Sequence, residues 1–560
     1  MNRHLFAALA MISAAPLCAA AQNTPRYDRA DSLRGGNGPA RAWWDAVFYD
    51  LHVRVNPADS SIQGWNGITY RVLQPSREMQ IDLQVPLVID SIVQDRRRLA
   101  FRRDSNAFFV TLPSAPRAGE VKTITVWYHG KPRPAVRAPW DGGYSWARDS
   151  TTGSPWIATS NEGLGASVWW PNKDLEGDEP DSQRIAITVP DPLINVSNGR
   201  LRNTIRNNDG TTTYEWFVSS PINNYNVAVN AARYAHFSDT MQGERGVLTL
   251  DFYPLEANLA AARRQFTQAK PMLRCFESWF GPYPWYEDGY KMVETPHLGM
   301  EHQSAIAYGN WYLQGYRGRD LSGTGLGLMW DYIIIHEAAH EWWGNNVSAA
   351  DHADMWIHES FGYYAEAIYV ECTQSRTAGA AYIIGSRRGI QNRQPIVPQI
   401  DGRIAYGVNA RGSGDMYPKG GNMLHTIRTV LNDDARWRHI LRGIQQTFGR
   451  RTSAGQDVRE YMSREAGIDL SRIFQQYLDN PQLPEFQYRF GDGRLEYRWA
   501  SVVPGFDMPL DVQIAGMGSM RLRPTESWQS LPTTSPRATA LLVDENYYVT
   551  SRDMGGAPRN

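Results

Sequence analysis

From Trp43 to about residue 250 the chain runs as short alternations of apolar and polar residues broken by turn signals. Tyr49-Asp50-Leu51-His52-Val53-Arg54-Val55, Val121 to Tyr128, and Arg184-Ile185-Ala186-Ile187-Thr188-Val189 closed by Pro190-Asp191-Pro192 are examples. A period of two sends alternate side chains to opposite faces of a strand, so the stretch predicts a β-sandwich over 41–250. From Ala257 the apolar spacing lengthens to the helical period, and helix-length stretches continue to about Tyr477. That predicts a mainly helical domain over 251–482. Pro481 and Pro484 then bound a small β-domain, 483–550, with Glu485 to Phe490, Leu495 to Trp499 and Thr539 to Val543 as candidate strands. Residues 551–560 read as a frayed tail. The fold class expected is multidomain α+β.

The N-terminal residues follow a different pattern. Asn2, Arg3 and His4 precede an apolar run from Leu5 to Leu17, and Ala19-Ala20-Ala21 stands before Gln22. This is the layout of a signal peptide over 1–21, so the protein is expected to be exported, either to the periplasm or to the medium. Residues 22–40 are polar and Gly-rich and read as a flexible leader. No later stretch reaches the roughly eighteen apolar residues that a membrane span needs. At 560 residues, with 42% hydrophobic and 21% charged residues, the chain has the composition of a soluble globular protein of several domains. Lys+Arg 57 against Asp+Glu 58 leaves a net charge of -1, which argues against nucleic acid or an anionic membrane as a general partner. Past the signal segment only Cys275 and Cys372 remain, and one disulfide or two buried thiols fit equally well.

The most informative residues are His336-Glu337-Ala338-Ala339-His340. Positions i and i+4 share a helix face, so both imidazoles can reach one ion. A catalytic zinc needs a third protein ligand. After an eighteen-residue gap comes Glu359, in a second helical stretch that can return it to the same ion. Two imidazoles and a carboxylate suit zinc, one ion per chain. Glu337 stays unligated and is placed to take a proton from the attacking water.

His336 to His340, the gap and Glu359 resemble the M1 family of zinc aminopeptidases. Gly299-Met300-Glu301-His302-Gln303 is similar to the family's Gly-x-Met-Glu-Asn motif, with His302 in place of the Asn. Asp178-Glu179-Pro180 is similar to the family's Asp-Glu-Pro segment, and Glu162 falls where relatives carry Glu or Gln. Tyr417, 58 residues after Glu359 and followed by Pro418-Lys419-Gly420, resembles the family's catalytic tyrosine. Ser360 stands where relatives usually carry Gly. The resemblance spans roughly residues 41–550 and implies a β-sandwich, a thermolysin-like catalytic domain and a small β-domain. Larger family members continue with a long helical domain beyond that point.

The resemblance also implies roles. His336, His340 and Glu359 are the metal ligands, and Glu337 and Tyr417 are catalytic, Tyr417 stabilising charge on the carbonyl oxygen. Glu301, with Gly299, Met300 and Glu162, binds the substrate, a peptide with a free N-terminus whose ammonium a buried carboxylate captures. The expected reaction is release of the N-terminal residue by a metal-activated water. The alternatives are a zinc endopeptidase or epoxide hydrolase on the same scaffold, or a non-catalytic peptide-binding protein. A carboxylate aimed at an ammonium argues against the endopeptidase, and the presence of Glu337, Tyr417 and every ligand argues against the binding protein.

Overall fold

The computed structural model describes residues 27–535 and 539–555. The signal segment read at 1–21 lies outside the described residues. An eight-stranded sheet forms the first β layer, with Trp44–Asn56 at its centre. That strand pairs antiparallel with Ser61–Val72 and parallel with Ser182–Pro190. Leu51, Val53 and Val55 point into the core while Asp50, His52 and Arg54 alternate with them on the outer face. A register shift between Ala46 and Phe48 lets Ala46 and Tyr49 both face inward despite their odd spacing. Tyr49 meets Trp170 edge-on at 5.1 Å, and Trp44 and Trp169 fill the space around them.

Three segments differ from the sequence expectation. Strand Phe237–Gly243 and the first part of Gly246–Tyr253 fall within the 41–250 predicted for the sandwich, but both strands join a five-stranded sheet with Tyr290–Glu294, Ile306–Tyr308 and Gly299–Met300. Their inward residues Leu248, Leu250 and Phe252 pack with Phe276 and Phe280 of helix Ala269–Phe280, in the core of the helical region. Alternation announces a strand but not the sheet it joins.

The leader at 22–40 is the second correction. Residues Arg29–Gly35 form a helix whose Asp28 side chain accepts from Ala30 N and Asp31 N, while Asp28 N donates back to Asp31. Arg34 Nη2 donates to Gly163 O at 2.6 Å. Gly35 lies so close to the Val408–Asn409 backbone that an added Cβ would sit 2.4 Å from the Val408 carbonyl carbon. A capping box and these contacts hold a segment whose polar, Gly-rich composition suggested freedom.

After residue 484 the strands form two small sheets, and Phe486, Trp499, Leu510 and Tyr548 continue the core of the helices without a break. The tail expected to fray from 551 begins as strand Thr550–Asp553, paired parallel with Glu485–Gly491. Cys275 and Cys372 form a disulfide that joins helices Ala269–Phe280 and Trp356–Thr373. Among the described residues no helix is long and apolar enough to cross a membrane.

Candidate active site

Helix Tyr332–Ala339 carries His336 and Glu337 and ends at His340. Asp331 caps it, accepting from the backbone N–H of Ile333 at 3.0 Å and of Ile334 at 3.4 Å. The same carboxylate accepts from Tyr308 Oη, Asn310 Nδ2 and Gln265 Nε2 at 2.6–2.8 Å, which ties the helix start to the neighbouring sheet. Helix Trp356–Thr373 packs alongside and presents Glu359 and Glu366. The turn after His340 passes through Gly344 at φ +120°, where an added Cβ would lie 3.1 Å from the His358 ring and 3.4 Å from that of His340.

The two histidines are oriented from behind. His336 Nδ1–H donates to Glu366 Oε1 at 2.8 Å, and Tyr382 Oη donates to Glu366 Oε2 at 2.6 Å. His340 Nδ1–H donates to the Trp343 carbonyl at 2.8 Å. Both Nε2 lone pairs therefore face forward, 3.4 Å apart. Glu359 Oε2 lies 3.8 Å from His336 Nε2 and 3.6 Å from His340 Nε2. This oxygen is buried and has no hydrogen-bond partner. An ion with tetrahedral bonds of 2.0–2.1 Å keeps its ligand atoms about 3.4 Å apart, so the three donors fit zinc. Among the described residues no other group of three ligating side chains comes together in this way.

Every residue assigned to the site in the sequence lines one cavity of about 370 Å³. Burial pushes the Glu337 carboxyl up, the His336 imidazole opposes this, and the carboxylates of Glu301, Glu359 and Glu162 push it further up. Gly299 runs beside Glu337, where an added Cβ would meet its Oε1 at 2.7 Å. Met300 closes the edge strand and Glu301 follows it. Glu301 is buried, accepts from Tyr225 Oη at 3.1 Å, and is pushed up to about 7 by burial and by the charge of Glu162. Tyr417 caps helix Pro418–Leu431 and donates to Glu359 Oε1 at 2.6 Å. Burial and the Glu359 charge raise its pKa, so it remains a phenol. Leu298, Tyr316, Leu321, Ile333 and Tyr363 make much of the remaining wall apolar.

Three partners of this site were not read in the sequence. Glu366 is seven residues, about two turns, past Glu359 on the same helix face, and that spacing could have pointed to it. Tyr225, which reaches Glu301, and Arg411, which lines the cavity, come from segments with no motif. Arg411 Nη2 lies 3.2 Å from Glu162 Oε1, 3.4 Å from Glu359 Oε1 and 3.2 Å from Tyr417 Oη. His302 is fully buried with neither ring nitrogen hydrogen-bonded, and burial pushes its pKa down to about 3, so it stays neutral. Ser360 Oγ donates to the Met416 carbonyl at 2.8 Å, linking the third-ligand helix to the segment that carries Tyr417. Asp178 pairs with buried Lys173, and Glu179 is pushed up to about 7 by burial where the sandwich meets the helical region.

Residues 264–477 match the Peptidase family M1 domain. The chain is similar to aminopeptidase N of Lactobacillus delbrueckii subsp. lactis, at 26% identity over 231 residues, 38% of this chain and 26% of that protein. It is also similar to leucine aminopeptidase 2 of Vanderwaltozyma polyspora, at 22% identity over 405 residues, 68% of this chain and 57% of the relative. The match thus spans about a quarter of the length of the bacterial aminopeptidases N. In fold the chain resembles the M1 zinc metallopeptidase of Deinococcus radiodurans, solved with a Tyr-Ser-Ala substrate, with TM-score 0.67 and 20% identity over 80% of this chain and 96% of that one. The matched segment holds the His336–His340–Glu359 triangle, Glu337, Glu301 and Tyr417, so the part of the chain that resembles peptidase family M1 is the part that builds this site.

Proposed function

We propose that this protein is a zinc aminopeptidase that releases the N-terminal residue of peptides. The observation that carries the reading is the joint placement, in one cavity, of the buried donor triangle with Glu337 and of Glu301 with Glu162. His336, His340 and Glu359 would hold zinc, which would supply the Lewis acidity that polarises a peptide carbonyl and acidifies water. Glu337 takes the proton of the attacking water and returns it to the departing amine, so proton uptake and release stay on one carboxylate. Tyr417 turns its hydroxyl to the carbonyl oxygen as that oxygen gains charge. Glu301 and Glu162 accept hydrogen bonds from the substrate ammonium and fix how far the chain can enter before the cut.

Charge balance supports the same assignment. Glu162, Glu301, Glu337 and Glu359 line the cavity, and Arg411 is the one guanidinium there. A divalent ion and a substrate ammonium would bring those groups to neutrality, which a buried site of low dielectric requires. An acetylated N-terminus brings no charge and leaves the anchor carboxylates uncompensated.

The test compares one peptide with a free N-terminus and its N-acetylated twin, each with and without a chelator. Single-residue release from the free peptide alone, lost with chelator and restored by zinc, is the expected result. Equal internal cleavage of both peptides would overturn the exopeptidase reading.

The proposal extends to export. The basic start, apolar run and Ala19-Ala20-Ala21 before Gln22 are one support, and the Cys275–Cys372 bridge, a bond favoured in oxidising compartments, is another. N-terminal sequencing of the protein recovered outside the cytoplasm should begin at Gln22, and an intact Met1 would contradict it.

A further inference from the structure

Tyr417 and Glu359 pose a difficulty for one another. Tyr417 Oη donates to Glu359 Oε1 at 2.6 Å, while Glu359 Oε2 faces the two imidazoles. A phenol can stabilise charge on a substrate oxygen only by giving that hydrogen bond up. Glu359 is buried, and a buried carboxylate oxygen stripped of its donor carries a large desolvation penalty. The release of Tyr417 therefore needs a replacement donor within reach of the same oxygen.

Arg411 Nη2 has that position. It lies 3.4 Å from Glu359 Oε1, 3.2 Å from Tyr417 Oη and 3.2 Å from Glu162 Oε1. This nitrogen carries two hydrogens and spends them on Glu359 Oε1 and Tyr417 Oη, while Glu162 Oε1 lies beside it as an ion-pair partner with no hydrogen bond of its own. Glu162 sits on the amine-anchor side and Tyr417 on the oxyanion side, and among the described residues Arg411 is the cation that touches both.

Resting on the aminopeptidase reading, we propose that Arg411 is a positioning residue that couples capture of the substrate N-terminus to release of Tyr417. When the ammonium engages Glu162, Arg411 gives up that partner and turns its N–H bonds to Glu359 Oε1. Glu359 then keeps a charge-assisted donor while the Tyr417 hydroxyl moves to the substrate carbonyl oxygen. No bond to carbon changes in this exchange. An ion pair and a hydrogen bond trade partners, and Glu359 Oε1 and Glu162 each keep a cationic neighbour throughout.

The test is a double-mutant cycle between Arg411→Met and Tyr417→Phe, with kcat, KM and zinc content measured for each protein. R411M should bind zinc at full stoichiometry and lose about tenfold or more in kcat, approaching the 10²–10³-fold cost of removing an oxyanion donor. In the Y417F background the same substitution should cost less than about twofold, because the step it assists is gone. Losses that multiply, or a kcat unchanged in R411M, would overturn the coupling. Should R411M fold poorly, Arg411→Lys enters the same cycle, since one ammonium cannot span all three acceptors and kcat should again fall only when Tyr417 is present. A wild-type enzyme without chelator-sensitive release of N-terminal residues would instead overturn the underlying reading.

Discussion

His336, Glu337 and His340 come from consecutive turns of one helix, capped by Asp331 and braced by Glu366. Glu162, Glu301 and Arg411 come from three separate segments that meet only in the folded chain. The first group is rigid because its orientation is set locally, each imidazole pinned through Nδ1. The second shares its hydrogen bonds, with one guanidinium nitrogen serving several acceptors. A hydrolytic centre gains from fixed geometry, whereas an anchor that admits and releases an ammonium gains from partners that can be exchanged. The two halves should therefore fail in different ways.

The largest effect belongs to the metal half. Glu337→Gln should lower kcat by about 10²–10⁴-fold with zinc content unchanged by atomic absorption, the range for a lost general base. Retained activity in E337Q would dissolve the division of labour between the halves. Tyr417→Phe should follow, at about 10²–10³-fold in kcat with little change in KM. Glu366→Ala probes rigidity rather than chemistry. Freed at Nδ1, His336 should hold zinc about 10–100-fold more weakly in competition with a chelating dye, while activity at saturating zinc largely recovers. The smallest effect concerns the anchor half. Arg34→Ala removes the hydrogen bond from the N-terminal helix to Gly163, next to Glu162, and should raise KM by about tenfold or less with kcat nearly constant. A kcat loss larger than the KM change in R34A would mean that the N-terminal helix serves the metal half as well.

The same contrast explains what could be read from the sequence. His336, His340 and Glu337 were legible because helical geometry turns sequence spacing directly into shared direction, and Glu359 because a second helical stretch follows at a short distance. Tyr417 and Glu301 were legible only through resemblance, since nothing in their own spacing aims them at His336. Arg411 and Tyr225 were not legible at all. Each meets its partners at the site through tertiary packing, and an arginine six residues before a tyrosine has no local meaning. The sandwich strands showed in their alternation, yet the membership of Phe237–Tyr253 did not, because the choice of sheet depends on which core buries Leu248, Leu250 and Phe252. The leader misled for a related reason. Its composition is that of a loop, and its order comes from the Asp28–Asp31 capping box and the Arg34 contact.

The most direct measurement is the ratio of kcat/KM for a free-N-terminus peptide to that for its N-acetylated twin, taken for wild type and for Glu301→Gln, each with zinc content determined. If the metal half does the chemistry and the other half selects N-termini, E301Q keeps its zinc. Its ratio falls by about 10–150-fold, the worth of one hydrogen bond to a charged group. A ratio unchanged in E301Q, or a loss of zinc that accounts for the whole effect, would contradict that division.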